Sequence, residues 1–429
     1  MGTAKHSSHG EFRKSLSFSS ILLIIVLLLA ASIPLKLEGS NRSPLSNPTD
    51  IAKVKWPTIT TLNVTGDLHL EKVTDAVALP EDLGWLVTLQ NGTVSHQIME
   101  NGYAIELGSF TIPNTHYSSD CGLLSITLDP NWSVNGLTYF GKCDSITHNS
   151  IVIVRIDVDT PHHILEGPTT VLTVGSDEAT QNWHNVGSIG FDNDGNMWAL
   201  FGDKDLDDVA SDSTNPLGSL LLFSPIKNTT TSGVQPISSN DNEQSNLVHA
   251  WGLRSPWTGT LDSWGRWWIV DVGSSVEELN IVEGNEHLGW DEIEGPCSMR
   301  CSTSSDPYTW WDRDSTNPLT LEDPEANPFG CQVGWMGPII KGPEVSTGEH
   351  DYFAIFGEFC KGWVRAVHIN ADGMIGPHNH IGHMDEVAAW IEHDDDWLVF
   401  SHGGYLSADS KSLIQIVSFE WENSTEVHG

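Results

Sequence analysis

Four ionisable residues occupy comparable places in this chain of 429 residues. His184 begins the stretch HNVGSIGFDNDGNMWALFGD, a turn that leads into two strand-like runs. When the aromatic runs of similar stretches are aligned, His184 falls on Arg254 and on His383, and Asp120 takes the matching place in an earlier stretch. Imidazole, guanidinium and carboxylate groups that converge form the polar part of a concave site. The alternative is that each residue is simply the polar start of a hairpin.

The elements that would position these residues form a repeat. A turn leads into an aromatic-rich strand, and a short connection then leads into a second apolar strand. The aromatic strands are GWLVTL, GLTYFGK, NMWALFGD, RWWIVDVG, DYFAIFGE and DWLVFSHG. Six copies of a multi-stranded unit predict an all-β fold, a six-bladed β-propeller. The four ionisable residues precede first strands, which line the central channel, so they would ring one mouth of it. A pair of large β-sandwiches is the alternative.

The N-terminal segment differs from the rest of the chain. Lys5, Arg13 and Lys14 precede the apolar run ILLIIVLLLAASI, so residues 1–35 are expected to be a signal peptide or a signal anchor. Either one exports the remainder, which would be secreted, periplasmic or anchored on the outer face of the cell membrane. The other expected segments are a linker with the lead-in to the first strand (36–70), the propeller (71–420) with an inserted loop around 296–335, and a tail (421–429).

Charge and cysteine content limit the classes of function. The net charge is −37, from 57 acidic and 20 basic residues, and such a surface repels the phosphates of nucleic acids. Outside the cytoplasm the six cysteines are expected to form disulfides. Grouping by position, one of about fifteen connectivities, pairs Cys121 with Cys143, Cys297 with Cys301, and Cys331 with Cys360.

Four blocks of the sequence occur in a familiar order. They are DCGLLSITLDPNWSVNGLTYF, HNVGSIGFDNDGNMWALFGD, GLRSPWTGTLDSWGRWWIVDVG with EELNIVEGNEHLGW, and FGEFCKGWVRAV. In this order they resemble the soluble quinoprotein glucose dehydrogenases, also called glucose/sorbosone or aldose sugar dehydrogenases. The resemblance covers most of the chain after the N-terminal segment. Hedgehog-interacting proteins carry a related propeller, so this fold does not by itself define a function.

The resemblance implies an oxidoreductase that uses pyrroloquinoline quinone (PQQ) and calcium to oxidise an aldose at its anomeric carbon, with an external electron acceptor. It makes His184 the general base that takes the proton of the anomeric hydroxyl while hydride passes to the quinone. It makes Arg254 the cation beside the quinone oxygen. It assigns calcium to backbone oxygens of Gly273 and Ser274. The remaining implied cofactor contacts are Asp120, Ser255, His383 and Lys361.

Several positions depart from the family pattern. Ser188 stands where an arginine often closes the His-Asn block, and Ser255 stands where an asparagine follows the key arginine. His383 and Asp385 replace two arginines, and Cys360 replaces a lysine, which together hold the cofactor's carboxylates in bacterial relatives. PQQ has three carboxylates, so either other cations bind them, the cofactor differs, or the site is degenerate.

Three further motifs each have a functional and a structural interpretation. Asp203, Asp205 and Asp207 are spaced like the start of a calcium loop or form a solvated acidic loop. The histidines of HNHIGH bind a transition metal or belong to a polar loop between blades. Glu277 and Glu278 are blade-edge or calcium-loop carboxylates.

Two other functions stay open beside the dehydrogenase. One is a non-catalytic extracellular propeller that binds a carbohydrate or a protein, which the replaced cations favour. The other is a calcium-dependent hydrolase of lactones or esters, which requires side-chain carboxylates and asparagine around a channel-centred calcium.

Overall fold

The structure is a computed structural model that describes residues 54–225, 227, 229–230, 233–235, 247–296, 304–312, 331–345, 348–405 and 411–421. These residues form six β-sheets, and each sheet is one blade of a propeller. The main strands of each blade pair antiparallel in chain order, as short turns between them require. The predicted six-bladed β-propeller is confirmed.

The first strand of the chain, β1 (Pro57–Asn63), belongs to the last blade. Blades 1, 2 and 3 follow it along the chain. Blade 1 contains β2 (Val73–Ala78), β3 (Trp85–Leu89), β4 (Thr93–Glu100) and β5 (Tyr103–Thr111). Blade 2 contains β6 (Leu123–Leu128), the short helix α1 (Trp132–Asn135), β7 (Leu137–Cys143), β8 (His148–Asp157) and β9 (Thr160–Gly175). Blade 3 contains β10 (Val186–Phe191), β11 (Met197–Phe201), β12 (Ser219–Pro225), β13 (Val234–Gln235) and β14 (Val248–Trp251).

The other three blades complete the ring. Blade 4 contains β15 (Pro256–Leu261), β16 (Trp267–Asp271), β17 (Val276–Val282) and β19 (Thr309–Asp312), while β18 (Glu286–His287) pairs parallel with β14 of blade 3. Blade 5 contains β20 (Gly334–Glu344), β21 (His350–Glu358), β22 (Trp363–Ile369) and β23 (Ile375–His383). Blade 6 contains β24 (Val387–His393), β25 (Asp396–Ser401), β26 (Ile414–Trp421) and β1.

The last blade joins the two ends of the described chain. β1 pairs with β26 from Pro57 opposite Trp421 to Asn63 opposite Gln415. Residues 36–70 were expected to be a linker and a strand lead-in, whereas β1 within that range is a structural part of the propeller. Because the two strands come from opposite ends of the chain, their hydrogen bonds hold the ring closed.

The first strands form an inner ring. β2 packs against β6, β6 against β10, β10 against β15, β15 against β20, β20 against β24, and β24 against β2. Hydrophobic clusters fill the spaces between neighbouring blades, such as the cluster of Trp268, Trp311 and Phe356 between blades 4 and 5. Since both faces of each blade are covered, the strands read as near-continuous apolar runs.

Three other expectations concern segments and cysteines. Part of the expected inserted loop around 296–335 is strand β19, the outer strand of blade 4. The expected disulfides Cys121–Cys143 and Cys331–Cys360 are present. Cys297, Cys301 and the segments 1–35 and 422–429 lie outside the described residues. In the part of the chain that the structure describes, no helix has the length and apolar character needed to cross a membrane.

Candidate active site

One face of the propeller holds a cavity of about 390 Å³ at the mouth of the channel. In an antiparallel pair, the start of one strand and the end of the next lie at the same edge of the sheet. Residues that precede first strands therefore meet residues that follow second strands. The first group that lines the cavity consists of Lys72, Asp120, His184, Asn185 and Ser255. The second group consists of Gln90, Val272, Phe359 and His402.

His184 is held firmly in the wall of this cavity. The residue is 8% exposed and has a backbone φ of 48°, in the left-handed region that non-glycine residues rarely adopt. Its ring Nδ1 lies 2.5 Å from Oδ1 of Asp203. A carboxylate can only accept a hydrogen bond, so Nδ1 carries the proton and donates it. In the neutral ring, Nε2 is then left with a free lone pair.

A second set of contacts holds Asp203 behind the histidine. Asp203 is 2% exposed, and the indole Nε1 of Trp290 donates to its Oδ2 at 2.7 Å. The Arg254 guanidinium lies 5.5 Å from the centre of the same indole ring and donates to the backbone oxygen of Val272 at 3.0 Å. Arg254 is thus connected to His184 through Trp290 and Asp203, and its side chain does not line the cavity.

Asn185, the residue after the histidine, ties two blades together. Its side-chain amide donates to the backbone oxygens of Asp120 at 3.2 Å and Asn182 at 2.7 Å. Its Oδ1 accepts from Nζ of Lys204 at 2.6 Å and lies against the Cys121–Cys143 disulfide. Lys204 is fully buried, and burial lowers its pKa to about 8. These contacts hold the segment before the first strand of blade 3 against the segment before the first strand of blade 2.

Asp120 stands at the rim of the cavity, near His184. Desolvation by the surrounding wall raises the pKa of the Asp120 carboxyl, and a hydrogen bond from Ser119 and the charge of His184 oppose that change. Ser255 also lines the cavity, and its backbone N–H donates to Oδ1 of Asp271 at 2.7 Å. Asp120, His184 and Ser255 all line the cavity, whereas the side chain of Arg254, which was expected in the ring with Asp120 and His184, does not.

The opposite wall of the cavity is aromatic. Phe359 makes edge contacts with Trp257, His402 and Tyr405, whose ring centres lie 5.9, 5.9 and 5.3 Å away. All four side chains line the cavity. Their planar surfaces offer extended contact to a flat ligand or to the apolar face of a sugar ring.

Among the described residues, Lys72 is the one lysine or arginine that lines the cavity. Its φ of 55° is in the left-handed region, and its backbone oxygen accepts from the N–H of Gln90 at 2.9 Å. The side chain crosses the ring of Tyr117, with Nζ 5.3 Å from the ring centre. Lys72 therefore places a positive charge at the mouth that holds His184.

Two of the expected cofactor contacts lie elsewhere. His383 is 54% exposed and pairs with Asp385, with 3.1 Å between Nε2 and Oδ1. Neither His383 nor Lys361 lines the cavity. Cys360, which replaces a lysine of the family pattern, forms a disulfide bond with Cys331. The expected ring of ionisable groups is therefore incomplete on the side of blades 5 and 6.

The loop expected to bind calcium contacts a carboxylate of the protein. The backbone N–H of Ser274 and that of Ser275 donate to Oε1 of Glu294, and Oγ of Ser274 donates to Oε2 at 3.0 Å. N–H and O–H donors suit an anion, whereas calcium requires several oxygen ligands with free lone pairs. These contacts do not involve the backbone oxygens of Gly273 and Ser274, the expected ligands, so calcium at this loop stays a prediction.

The three weaker motifs have structural explanations where they are described. Asp203 is the partner of His184, and its Oδ1 also accepts the N–H of Asp205. His378 lies in β23 and its Nδ1 accepts from Nε of Arg365 at 3.0 Å. No group of three or more His, Cys, Asp or Glu side chains in the described ranges is arranged to hold a metal ion. Glu277 and Glu278 are buried in β17 and accept backbone N–H groups at 3.1 and 2.5 Å.

Sequence reasoning missed several residues of the site, among them Lys72, His402 and Asp203 in its present role. Lys72 directly precedes the first strand of blade 1, so the repeat that singled out Asp120 and His184 applies to it as well. Asp203 and His402 each follow the second strand of a blade. Both positions could have been found from the sequence by extending the alignment to the strand ends.

Comparisons with known proteins agree with this fold. The PQQ-bound aldose sugar dehydrogenase of Streptomyces coelicolor is similar to the chain, with a TM-score of 0.65 and 18% identity over 85% of this chain and 99% of that one. The apo soluble aldose sugar dehydrogenase of Escherichia coli has a TM-score of 0.63 and 16% identity over 84% and 99%. The PQQ domain of Coprinopsis cinerea pyranose dehydrogenase has a TM-score of 0.52 and 11% identity over 84% and 95%. At these identities the likeness shows the fold.

Sequence families give a more specific result. No curated protein matches the chain. The family model described as Glucose / Sorbosone dehydrogenase matches residues 70–330, which is more than half of the chain and includes His184, Asp203 and Arg254. The chain therefore belongs to the glucose/sorbosone dehydrogenase family of oxidoreductases.

Proposed function

We propose that this protein is an exported sugar dehydrogenase that oxidises an aldose at its anomeric carbon, with PQQ as cofactor and an external electron acceptor. The observation that carries the proposal is the buried pair of His184 and Asp203 in the wall of the cavity. Family membership supports a PQQ-type sugar dehydrogenase, and the Streptomyces coelicolor relative is a PQQ-bound protein.

The cavity fits a flat, carboxylated quinone. Its volume of about 390 Å³ is within the usual range for small-molecule sites. Trp257, Phe359 and Tyr405 supply planar contact on one side, and Lys72 supplies a charge for a carboxylate. Gln90 and Asn185 add polar groups nearby. In this proposal Lys72 binds one carboxylate of PQQ. It thereby replaces in part the cations that bacterial relatives have where this chain has Cys360, His383 and Asp385. When bound, PQQ supplies the hydride acceptor.

His184 acts as the base in this proposal. The proton of the sugar's anomeric hydroxyl moves to Nε2, and the ring becomes an imidazolium. Asp203 stabilises that positive charge and fixes the tautomer, while Trp290 keeps the carboxylate in place. The aromatic wall excludes water from the developing charge. Asp120, at the rim, is positioned to accept a hydrogen bond from another sugar hydroxyl.

The experiment combines a binding and an activity measurement on the purified chain. PQQ binding is followed by absorbance titration, and turnover by reduction of an acceptor dye with a panel of aldoses. We expect saturable PQQ binding and dye reduction that His184→Gln lowers by about 10²–10⁴-fold without loss of PQQ binding. The same assay with and without added calcium tests the calcium prediction.

Absence of both PQQ binding and dye reduction with every aldose would contradict the proposal and favour the non-catalytic propeller.

Export is supported by the basic and apolar pattern of residues 1–35 and by the two disulfides, which form in oxidising compartments. N-terminal sequencing of the protein recovered from the medium or from washed membranes tests export and tells a cleaved signal from an anchor.

A further inference from the structure

A second cavity, of about 370 Å³, lies further along the same first strands. In blade 1, Thr74 lines the candidate active site and the next residue, Asp75, lines the second cavity. In blade 3, Gly187 lines the candidate active site and Ser188 lines the second cavity. The first strands run away from His184, so the second cavity occupies the far part of the channel. None of its lining residues contributes to the candidate active site.

Three tryptophans form one wall of this second cavity, namely Trp335, Trp390 and Trp397. The ring centres of Trp335 and Trp390 are 5.8 Å apart, and those of Trp390 and Trp397 are 6.4 Å apart. The indole Nε1 atoms of Trp335 and Trp390 are buried and have no hydrogen-bond partner among the described residues. Buried indole N–H groups normally find an acceptor, and these two belong to residues in the wall of a cavity where a bound group can supply one.

The position of Gly337 shows that one of these donors reaches the cavity wall. Nε1 of Trp390 lies 3.2 Å from where a Cβ on Gly337 would stand, and both residues line the cavity. Any side chain at this position would cover the N–H group. Glycine adds no side chain between the indole and the cavity at this point.

The remaining wall carries oxygen atoms with spare hydrogen-bonding capacity. Asp75 accepts the N–H groups of Ala76 at 2.8 Å and Ile126 at 2.9 Å, which leaves further lone pairs on its carboxylate. Oγ1 of Thr258 accepts the N–H of Met336 at 2.7 Å and keeps its own O–H to donate. Ser188 and Thr260 also line the cavity, although the Ser188 hydroxyl already accepts the N–H of Gly259 at 3.2 Å and donates to the backbone oxygen of Trp257 at 3.5 Å.

These groups define the chemistry of the ligand. No lysine or arginine among the described residues lines the cavity, which disfavours an anion. The described residues contain no cluster that could hold a metal ion. Indoles that meet at tilted and edge-to-face angles, together with hydroxyls and one carboxylate, suit a neutral ring that has an apolar face and several hydroxyl groups. We propose that the second cavity is a non-catalytic binding site for a neutral monosaccharide or cyclic polyol.

The probe is methyl α-D-glucopyranoside, which has no free anomeric hydroxyl to oxidise. Binding to the purified full chain is measured by titration calorimetry, and its location by soaking crystals. We expect one site per chain in the second cavity. Trp390→Phe removes the N–H and keeps an aromatic ring, so affinity should fall about fivefold. Gly337→Ala covers the same N–H and should weaken binding at least as much.

A matched Trp→Phe change at Trp264, which lines neither cavity, is the control and should leave binding unchanged. Both test variants should keep the PQQ affinity of the parent, so a failure here is distinguishable from failure of the proposed dehydrogenase. Lack of binding at millimolar probe, binding that Trp390→Phe and Gly337→Ala leave unchanged, or density in the His184 cavity alone would each overturn the proposal. So would preferential binding of tetramethylammonium, which would make the tryptophans a cation site.

Discussion

Replacing Asp203 with asparagine tests whether the orientation of His184 matters for catalysis. Oδ1 of Asp203 accepts from Nδ1 of His184 at 2.5 Å and from the N–H of Asp205 at 2.8 Å, and Oδ2 accepts from Trp290 at 2.7 Å. All three partners donate, and both carboxylate oxygens are therefore needed. Asparagine has only one oxygen, so one side of the network must meet its NH₂ group.

Each orientation of the new amide has a defined cost. If the NH₂ group faces His184, the ring must accept at Nδ1 and carry its proton at Nε2, where it can no longer take a proton from the sugar. If the NH₂ group faces Trp290, two donors meet in a buried place, which costs about 1–3 kcal/mol of stability. The first orientation removes the general base, worth about 10²–10⁴ in kcat or about 3–5 kcal/mol in the barrier.

We expect Asp203→Asn to lower kcat at least about 100-fold while the absorbance titration still shows PQQ binding. Dye reduction under saturating sugar and PQQ measures kcat, and urea unfolding measures stability. Asp205→Asn makes the same chemical change at an exposed neighbour and should leave both values near those of the parent. If Asp203→Asn keeps both the turnover and the stability of the parent, the orientation of His184 by Asp203 is not part of the mechanism, whereas parent turnover with a loss of about 1–3 kcal/mol indicates that the NH₂ group faces Trp290.

Three further outcomes are expected. Lys72→Gln should raise the Kd for PQQ about 10- to 100-fold, the cost of one hydrogen bond from a charged group; an unchanged absorbance titration would contradict this role. Glu358 is fully buried, and desolvation raises its pKa to about 7. The folded state then keeps a proton that the unfolded state has lost, so stability should fall by up to about 3 kcal/mol as pH rises from 4.5 to 7 and stay level above. In Glu358→Gln the urea-unfolding free energy should change less over this range, and equal slopes would refute the assignment. Removing the Cys121–Cys143 disulfide, whose cysteines are 22 residues apart, by a double change to serine should cost about 3 kcal/mol in the same assay, and no loss would count against a structural role.

Much of the fold was predictable because most of its strands are local and apolar. The six aromatic runs, which were expected to lead their units, are the second strands of the six blades, such as Met197–Phe201 and Trp267–Asp271, because a first strand precedes each of them. β1 escaped prediction because its sequence, PTITTLN, is rich in polar residues and largely exposed. Its partner β26 lies more than 350 residues away in the chain, and nothing local to β1 indicates that pairing.

The site was predictable to the extent that strand geometry fixes it. Asp120 and His184 converge because each precedes a first strand, and that rule requires no knowledge of the side chains around them. His383 follows the same rule but makes its contact with Asp385 at an exposed place. A position in the repeat determines which end of the blade a residue occupies, whereas neighbouring charges and packing decide where its side chain points.

Ser188 has a different role in the structure from the one that its position in the sequence first indicated. In the family an arginine often stands there, and its loss looked like the loss of a cation for the cofactor. Ser188 lines the second cavity and not the candidate active site. An arginine at this point of β10 would add a positive charge to the wall of the second cavity, which Asp75 also lines. Serine adds no charge at that point, which suits the proposed neutral polyhydroxylated ligand, and in the proposed dehydrogenase Lys72 at the mouth supplies the charge for the cofactor.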